Sequence, residues 1–416
     1  MTENKSNSEI RVGDPGKSPQ PADGLSVERL RTIVQDAHLN FLFGAGTSSP
    51  YFEQLGAVEF VLTALGDDTD EARLARASVQ GYFFEKVLLP NVALIAHEAG
   101  AKPLIKSYAR FVGTLNRILL RRRSTILSKQ ANLFTTNVDM AFEVALELLE
   151  VDVNDGFSGK INPRLDLGEF STLRFRQGTR FEYRSEIPVL NLFKIHGSAA
   201  WRQDEDDIYF DHRLELIKEV DGKYQAAKAD LLAITSKSDV DADALLISAA
   251  GKTATQPVLD FIREYERLSI VNPEKTKFAT TVLNQTYYEL LRRLANELEK
   301  ENGVLVVHGF SFRDEHLLDL VLRSAATNPT LQVIVFCHSR DSHGELIKLF
   351  PQEKIKNGNI LLVKPSEPEG GEDERKLSLD VLVDDYLTPI LSEKVAAADH
   401  IIELKLTGAV EESEHA

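Results

Sequence analysis

Six short apolar runs that do not alternate with polar residues constrain the fold of this chain more than any other feature. They occupy residues 39–43 (LNFLF), 131–136 (ANLFTT), 189–195 (VLNLFKI), 303–308 (GVLVVH), 331–337 (LQVIVFC) and 359–363 (NILLV). Apolar runs this short read as strands, and strands without alternation are covered on both faces. Segments with helical spacing lie between them, at 140–150, 286–300 and 316–325. Buried strands separated by helices predict an α/β fold, a Rossmann-like, doubly wound parallel sheet. Two stretches break that rhythm. Residues 54–127 are almost continuously helix-forming, and 203–265 are polar, acidic and mixed. Both are expected as insertions that build a smaller second lobe over the sheet.

The two ends read differently. Residues 1–24 are rich in Ser, Pro, Asn, Gly and charge, with almost nothing to bury, and are expected to form a disordered tail before a main domain at 25–365. Residues 366–416 read as a charged, Gly-containing linker, an amphipathic stretch at 377–406 suited to assembly, and a polar acidic end. No apolar run approaches the roughly 18 to 20 residues that span a bilayer, and the start lacks the hydrophobic stretch of a signal peptide. A soluble, cytoplasmic protein is expected.

The 416 residues carry 48 basic and 64 acidic side chains, a formal charge of −16. That balance disfavours broad binding to nucleic acid or anionic lipid, which depends on neutralising phosphates. Arg117, Arg121, Arg122 and Arg123 form a local basic cluster. It reads as the solvated face of a helix, with a phosphate or acidic-partner site as the other reading. The single cysteine, Cys337, excludes an intrachain disulfide and any zinc site built on two or more cysteines.

Chemistry-bearing residues cluster where the apolar runs end. In GAGTSS, Gly44 and Gly46 let backbone amides approach a phosphate, with Ala45 between them, and Thr47, Ser48 and Ser49 offer hydroxyls. The third glycine of the dinucleotide fingerprint is absent, which argues against a nicotinamide dehydrogenase. TTNVD places Thr136, Asn137 and Asp139 at the carboxyl end of the next strand; Asn and Asp there are also ordinary helix caps. KIHGS brings out His196, a residue suited to general-base work near neutrality, with Gly197 leaving room beside the imidazole. A structural histidine is the competing reading. HGFSFRDEH supplies Gly309, Phe310 and Ser311 before a helix, a second place for amides to meet phosphate or ribose. Cys337 reads as packing, and His308 and His316 form no metal spacing with Asp314 or Glu315.

The order GAGTS, TTNVD, KIHGS, GFSF resembles the sirtuin family, whose members bind NAD with a Gly-Ala-Gly-hydroxyl turn, a Thr-Gln-Asn-x-Asp motif, a His-Gly motif and a late Gly-x-Ser turn. The likeness covers about 25–365. IVNPEKTKF (270–278) and GFSFRDEHLLDLV (309–321) look more like the bacterial, sirtuin-like defence branch than like the deacylases. The four zinc cysteines and the Gly-x-Pro-Asp-Phe-Arg loop of the deacylases are missing, and Thr-Gln-Asn has become Thr135-Thr136-Asn137.

The resemblance implies an NAD glycohydrolase that releases nicotinamide and ADP-ribose, with NAD as substrate and no zinc or other metal. By the same analogy, Asn137 positions water or the ribose hydroxyls, His196 accepts a proton, and Asp139 orients the nicotinamide carboxamide. Gly44, Ala45, Gly46, Thr47 and Ser48 hold the pyrophosphate, Thr136 lies toward the ribose, and Gly309, Phe310 and Ser311 line the adenosine ribose. A homo-oligomer partnered by a HerA-like hexameric ATPase, acting as a regulated effector of antiphage defence, is also implied by resemblance. The alternatives are a non-enzymatic module that binds NAD or ADP-ribose, and an NAD-dependent protein deacylase.

Overall fold

A computed structural model describes residues 25–54, 58–66, 69–122, 126–180, 182–236, 239–270, 281–367 and 373–391. Its central sheet has seven strands: β1 His38–Phe43, β2 Gln130–Thr135, β3 Val153–Asn154, β4 Val189–Lys194, β5 Gly303–His308, β6 Gln332–Phe336 and β7 Ile360–Val363. Their spatial order is β7-β6-β5-β1-β2-β4-β3, and every pairing is parallel. The chain runs outward from β1 through β2 and then returns to lay β5 on the opposite flank of β1. The topological switch point of this doubly wound sheet therefore lies between β1 and β5. The two-residue edge strand β3 had no apolar run to announce it.

Consecutive side chains of β1 enter opposite cores. Phe41 and Phe43 pack with Leu133 under helices α1 (Lys102–Arg121) and α2 (Ala141–Leu148). Leu42 packs with Phe134 and Leu305 under α3 (Thr281–Glu299) and α4 (Glu315–Thr327). This two-sided burial is why the strands carry continuous apolar sequence. On the face of Leu42, three mid-strand asparagines stand in register: Asn40 of β1, Asn132 of β2 and Asn191 of β4. Asn132 Nδ2 donates to Asn40 Oδ1 at 2.8 Å, and Asn191 Nδ2 donates to Asn132 Oδ1 at 2.8 Å. All three are buried, so the ladder pairs amide groups that would otherwise oppose burial, leaving Asn191 Oδ1 without a partner among the described residues.

The insertions meet one another. Helices Val58–Leu65 and Asp70–Phe83 share a small separate core with Val240 and Leu245 from the second insertion. After β4 the chain turns at Ile195 and His196 into an unanticipated strand, Gly197–Asp204, of a five-stranded antiparallel sheet. Gly197 has φ +79°, and a Cβ there would lie 2.3 Å from the Ser269 carbonyl oxygen. This glycine admits the neighbouring strand rather than leaving space beside the imidazole.

The arginine cluster divides: Arg117 and Arg121 lie on the exposed face of α1, as expected, whereas Arg122 is buried. Arg122, 8% exposed, ends α1 and donates to the carbonyls of Val34, Ala37 and Ser128, while Arg121 donates to the Leu391 carbonyl. Arg123 lies outside the described residues. Leu382, Val383 and Tyr386 join the same core as Phe336, so the described part of the C-terminal segment is built into the main domain. The rest of the 377–406 stretch, like residues 1–24, lies outside the described residues. Among the described residues no helix is long and apolar enough to cross a membrane.

Candidate functional site

The last residues of β5, β1, β2 and β4 are His308, Phe43, Thr135 and Lys194, aligned neighbour to neighbour across the sheet. TTNVD and KIHGS begin at these residues and GAGTS and GFSF at the next positions, so all four emerge at one carboxyl edge, where open α/β sheets bind ligands. At the switch point the two glycine turns touch. Gly44 N donates to the His308 carbonyl at 3.1 Å, and Gly46 N donates to the Gly309 carbonyl at 2.9 Å. Gly309 has φ +63°, and a Cβ on it would stand 2.3 Å from Thr47 N. Only glycine permits that approach.

The hydroxyls after the first turn face inward. Thr47 Oγ1 donates to the His308 carbonyl at 3.0 Å and lies 3.0 Å from His308 Nδ1. With its proton on the carbonyl, Thr47 accepts from the ring, which fixes the Nδ1–H tautomer. Burial lowers the His308 pKa to about 4, so the imidazole is neutral. Ala45 and Ser311 are exposed, and Gly46, Thr136, Gly309 and Phe310 are half-buried along the rim.

Beneath the rim lies a closed network. Ser48 Oγ donates to Asp139 Oδ2 at 2.7 Å, accepts from Asn137 Nδ2 at 3.1 Å, and meets the Tyr108 hydroxyl at 2.6 Å. The serine has one proton, so Tyr108 must be the donor to it. Burial, and then the charge of Asp139, push the Tyr108 hydroxyl well above its ordinary pKa and keep it protonated. Asp139 Oδ1 accepts from the Ala141 amide at 3.0 Å at the start of α2. Both carboxylate oxygens thus hold protein groups. These bonds orient the Asn137 amide and leave its Oδ1 buried without a partner among the described residues. An unmatched buried acceptor costs about 1–3 kcal/mol unless a ligand or water supplies a donor.

Lys194 extends the network. It is buried, donates to the Asp139 carbonyl, and pairs with Glu143 Oε1 at 3.3 Å. Burial raises the Glu143 pKa against the opposing pull of Lys194. His196 stands apart from this cluster, about a quarter exposed, with Nε2 3.2 Å from Asp314 Oδ2 and its ring 5.9 Å from that of Tyr287. Burial pushes the Asp314 carboxyl up, but the hydrogen bond and charge of His196 outweigh it and the pKa is lowered. An ionised carboxylate only accepts, so Nε2 carries the proton and Nδ1 is the basic nitrogen. Asp314 Oδ1 also caps α4 by accepting from His316 and Leu317 amides.

Comparison with models of known protein families and with curated proteins gave no match. The geometry therefore stands on its own. It gathers Ser48, Asn137 and Asp139 into one hydrogen-bonded unit and places His196 against Asp314. It keeps Thr47 with His308 instead of in the crevice. Sequence reasoning missed Tyr108, Lys194 and Glu143, since a tyrosine and a glutamate on amphipathic helices carry no local signal. Lys194 could have been noticed as a charge inside an apolar run. Asp314 entered the sequence reading only as part of a metal spacing that was not met. Of IVNPEKTKF, residues 271–278 lie outside the described residues. Cys337 is fully buried, and burial pushes its thiol up to about 12, which suits packing and not nucleophilic work. Among the described residues no group of three or more His, Cys, Asp or Glu side chains is arranged to hold a metal.

Proposed function

We propose that this chain hydrolyses the bond between nicotinamide and ribose in NAD, releasing nicotinamide and ADP-ribose. The observation that carries the reading is the oriented, unmatched Asn137 Oδ1 at the same sheet edge as a His196–Asp314 pair. The substrate's pyridinium nitrogen is positively charged, so the glycosidic bond can break with its electron pair passing to that nitrogen. What the protein must add is a positioned water, a base and exclusion of solvent. Asn137 Oδ1 accepts from the water or from a ribose hydroxyl. His196 Nδ1 takes the proton lost as water oxygen bonds to the anomeric carbon, and Asp314 stabilises the resulting imidazolium. Asp139, Ser48 and Tyr108 act through Asn137 as positioning residues. The Gly44, Gly46 and Thr47 amides are bonded within the protein, so the pyrophosphate and adenosine contacts fall to the rim of the two turns, where Ala45 and Ser311 are exposed.

The cellular role rests on the order of the motifs alone: a cytoplasmic, oligomeric effector of antiphage defence, restrained until a HerA-like ATPase partner releases it. The deciding assay is chromatographic detection of nicotinamide from NAD, with the chain alone and with such an ATPase, beside Asn137→Ala and His196→Ala. Release that both substitutions abolish supports hydrolysis at this edge. Binding of NAD or ADP-ribose without release under either condition rejects hydrolysis and leaves a ligand-sensing module.

A further inference from the structure

A groove of about 690 Å³ runs along α1, lined by none of the residues of the sheet-edge motifs. Its floor is the stripe Ile105, Ala109 and Gly113, one residue per turn of α1, and its wall is Leu148 and Leu149 at the end of α2. The two small residues make the trough: a Cβ on Gly113 would already touch Leu149 Cδ1 at 3.4 Å. Leu148 and Leu149 are 52% and 40% exposed and form an apolar ledge beside the trough. From Lys102 to Asn116 the lining covers about 21 Å at 1.5 Å per residue, about four helical turns.

The charge of the rim is the opposite of the chain's. His97, Lys102, Lys106, Arg110 and Arg117 line the groove and no carboxylate does, in a protein of net charge −16. Arg110 is held by Asp380 and Asp384, and Arg117 folds back on the Gly113 carbonyl. Lys102 and Lys106, one turn apart on one edge, have no acidic partner among the described residues. The floor is the middle of a long helix whose backbone groups are bonded within it, so an added strand would find no run of main-chain partners along α1. A helix arrives with its own backbone satisfied.

We infer that this groove docks an acidic amphipathic helix of a partner protein, its apolar stripe on Ala109, Gly113 and Leu149 and its carboxylates against Lys102 and Lys106. The inference is independent of the proposed hydrolysis. It can be tested by fluorescence anisotropy of the full chain with a labelled synthetic four-turn helix bearing Leu at i, i+3, i+4 and i+7 and Glu on the flanks. Saturable binding is expected, weakened at least tenfold by Lys102→Glu with Lys106→Glu and at least fivefold by Ala109→Leu, which fills the trough at a half-buried position without opening the core. Raising salt should weaken it in the unsubstituted chain and not in the charge-reversed one. Equal binding of a scrambled peptide, binding indifferent to both variants, or capture by phosphatidylglycerol vesicles that the charge reversal abolishes would overturn the inference. Loss of a self-associated state in the charge-reversed chain, followed by sedimentation velocity, would overturn it too by assigning the groove to a second copy.

Discussion

His196 and Asp314 meet at 3.2 Å although the strands that launch them, β4 and β5, are separated in the sheet by β2 and β1. At about 4.8 Å per strand, the two launching points are about 14 Å apart. The pair therefore bridges the carboxyl edge above the ends of the two intervening strands. Those are the strands that deliver Gly44 to Ser48 and Thr136 to Asp139.

Asp314→Asn keeps a hydrogen-bonding group beside His196 and removes its charge. If His196 is the base, the turnover number for NAD cleavage should fall about 100-fold with little change in KM, because the imidazolium loses its counter-charge only as the proton arrives. The lowered carboxyl pKa gives the pair a defined pH window: its contribution is present above the ordinary Asp range and is lost as pH falls through the lowered value. Steady-state kinetics that show only a KM effect would count against the role.

Ser48→Ala strands three buried groups, the Tyr108 hydroxyl, Asp139 Oδ2 and Asn137 Nδ2. At about 1–3 kcal/mol for each orphan, destabilisation of at least about 3 kcal/mol is expected in urea unfolding. Tyr108→Phe removes one donor and leaves Ser48 its other partners, so it should cost about 1 kcal/mol. The reverse ranking would mean that the network is wired differently.

Asn132→Ala breaks both bonds of the asparagine ladder, orphaning Asn40 Oδ1 and Asn191 Nδ2, and should cost about 2–5 kcal/mol. Replacing Asn40, Asn132 and Asn191 together with leucine removes every unmatched group at once. That triple variant should be less destabilised than the single one, as measured by chemical denaturation.

His308 gives the fold an acid sensitivity. Its pKa is about 4 when folded, against 6.5 when exposed in the unfolded chain. Above pH 6.5 both states are neutral and nothing is lost. As pH falls from 6.5 to about 4, the unfolded state gains a proton that the folded one refuses, removing up to about 3 kcal/mol of stability. In His308→Gln this part of the pH dependence should vanish, which unfolding curves at pH 7 and pH 4.5 would reveal.

The sequence by itself determined the fold class and the edge at which the motifs collect. An apolar run without alternation must be buried on both faces, which requires helices on each side and parallel strands. In a parallel sheet every residue that follows a run lies at the same carboxyl edge, so GAGTS, TTNVD, KIHGS and GFSF were bound to converge there. Tertiary structure alone decided which side chains touch. The asparagine ladder depends on Asn40, Asn132 and Asn191 falling at the same register position of neighbouring strands. Each could be seen inside its own run, but strand order and stagger are set by packing between segments about 60 to 150 residues apart. For the same reason Ser48 finds Tyr108 on a covering helix, and His196 finds Asp314 from across the sheet. Local pattern fixes what each segment buries, whereas the closure of the sheet fixes which polar groups are left facing one another.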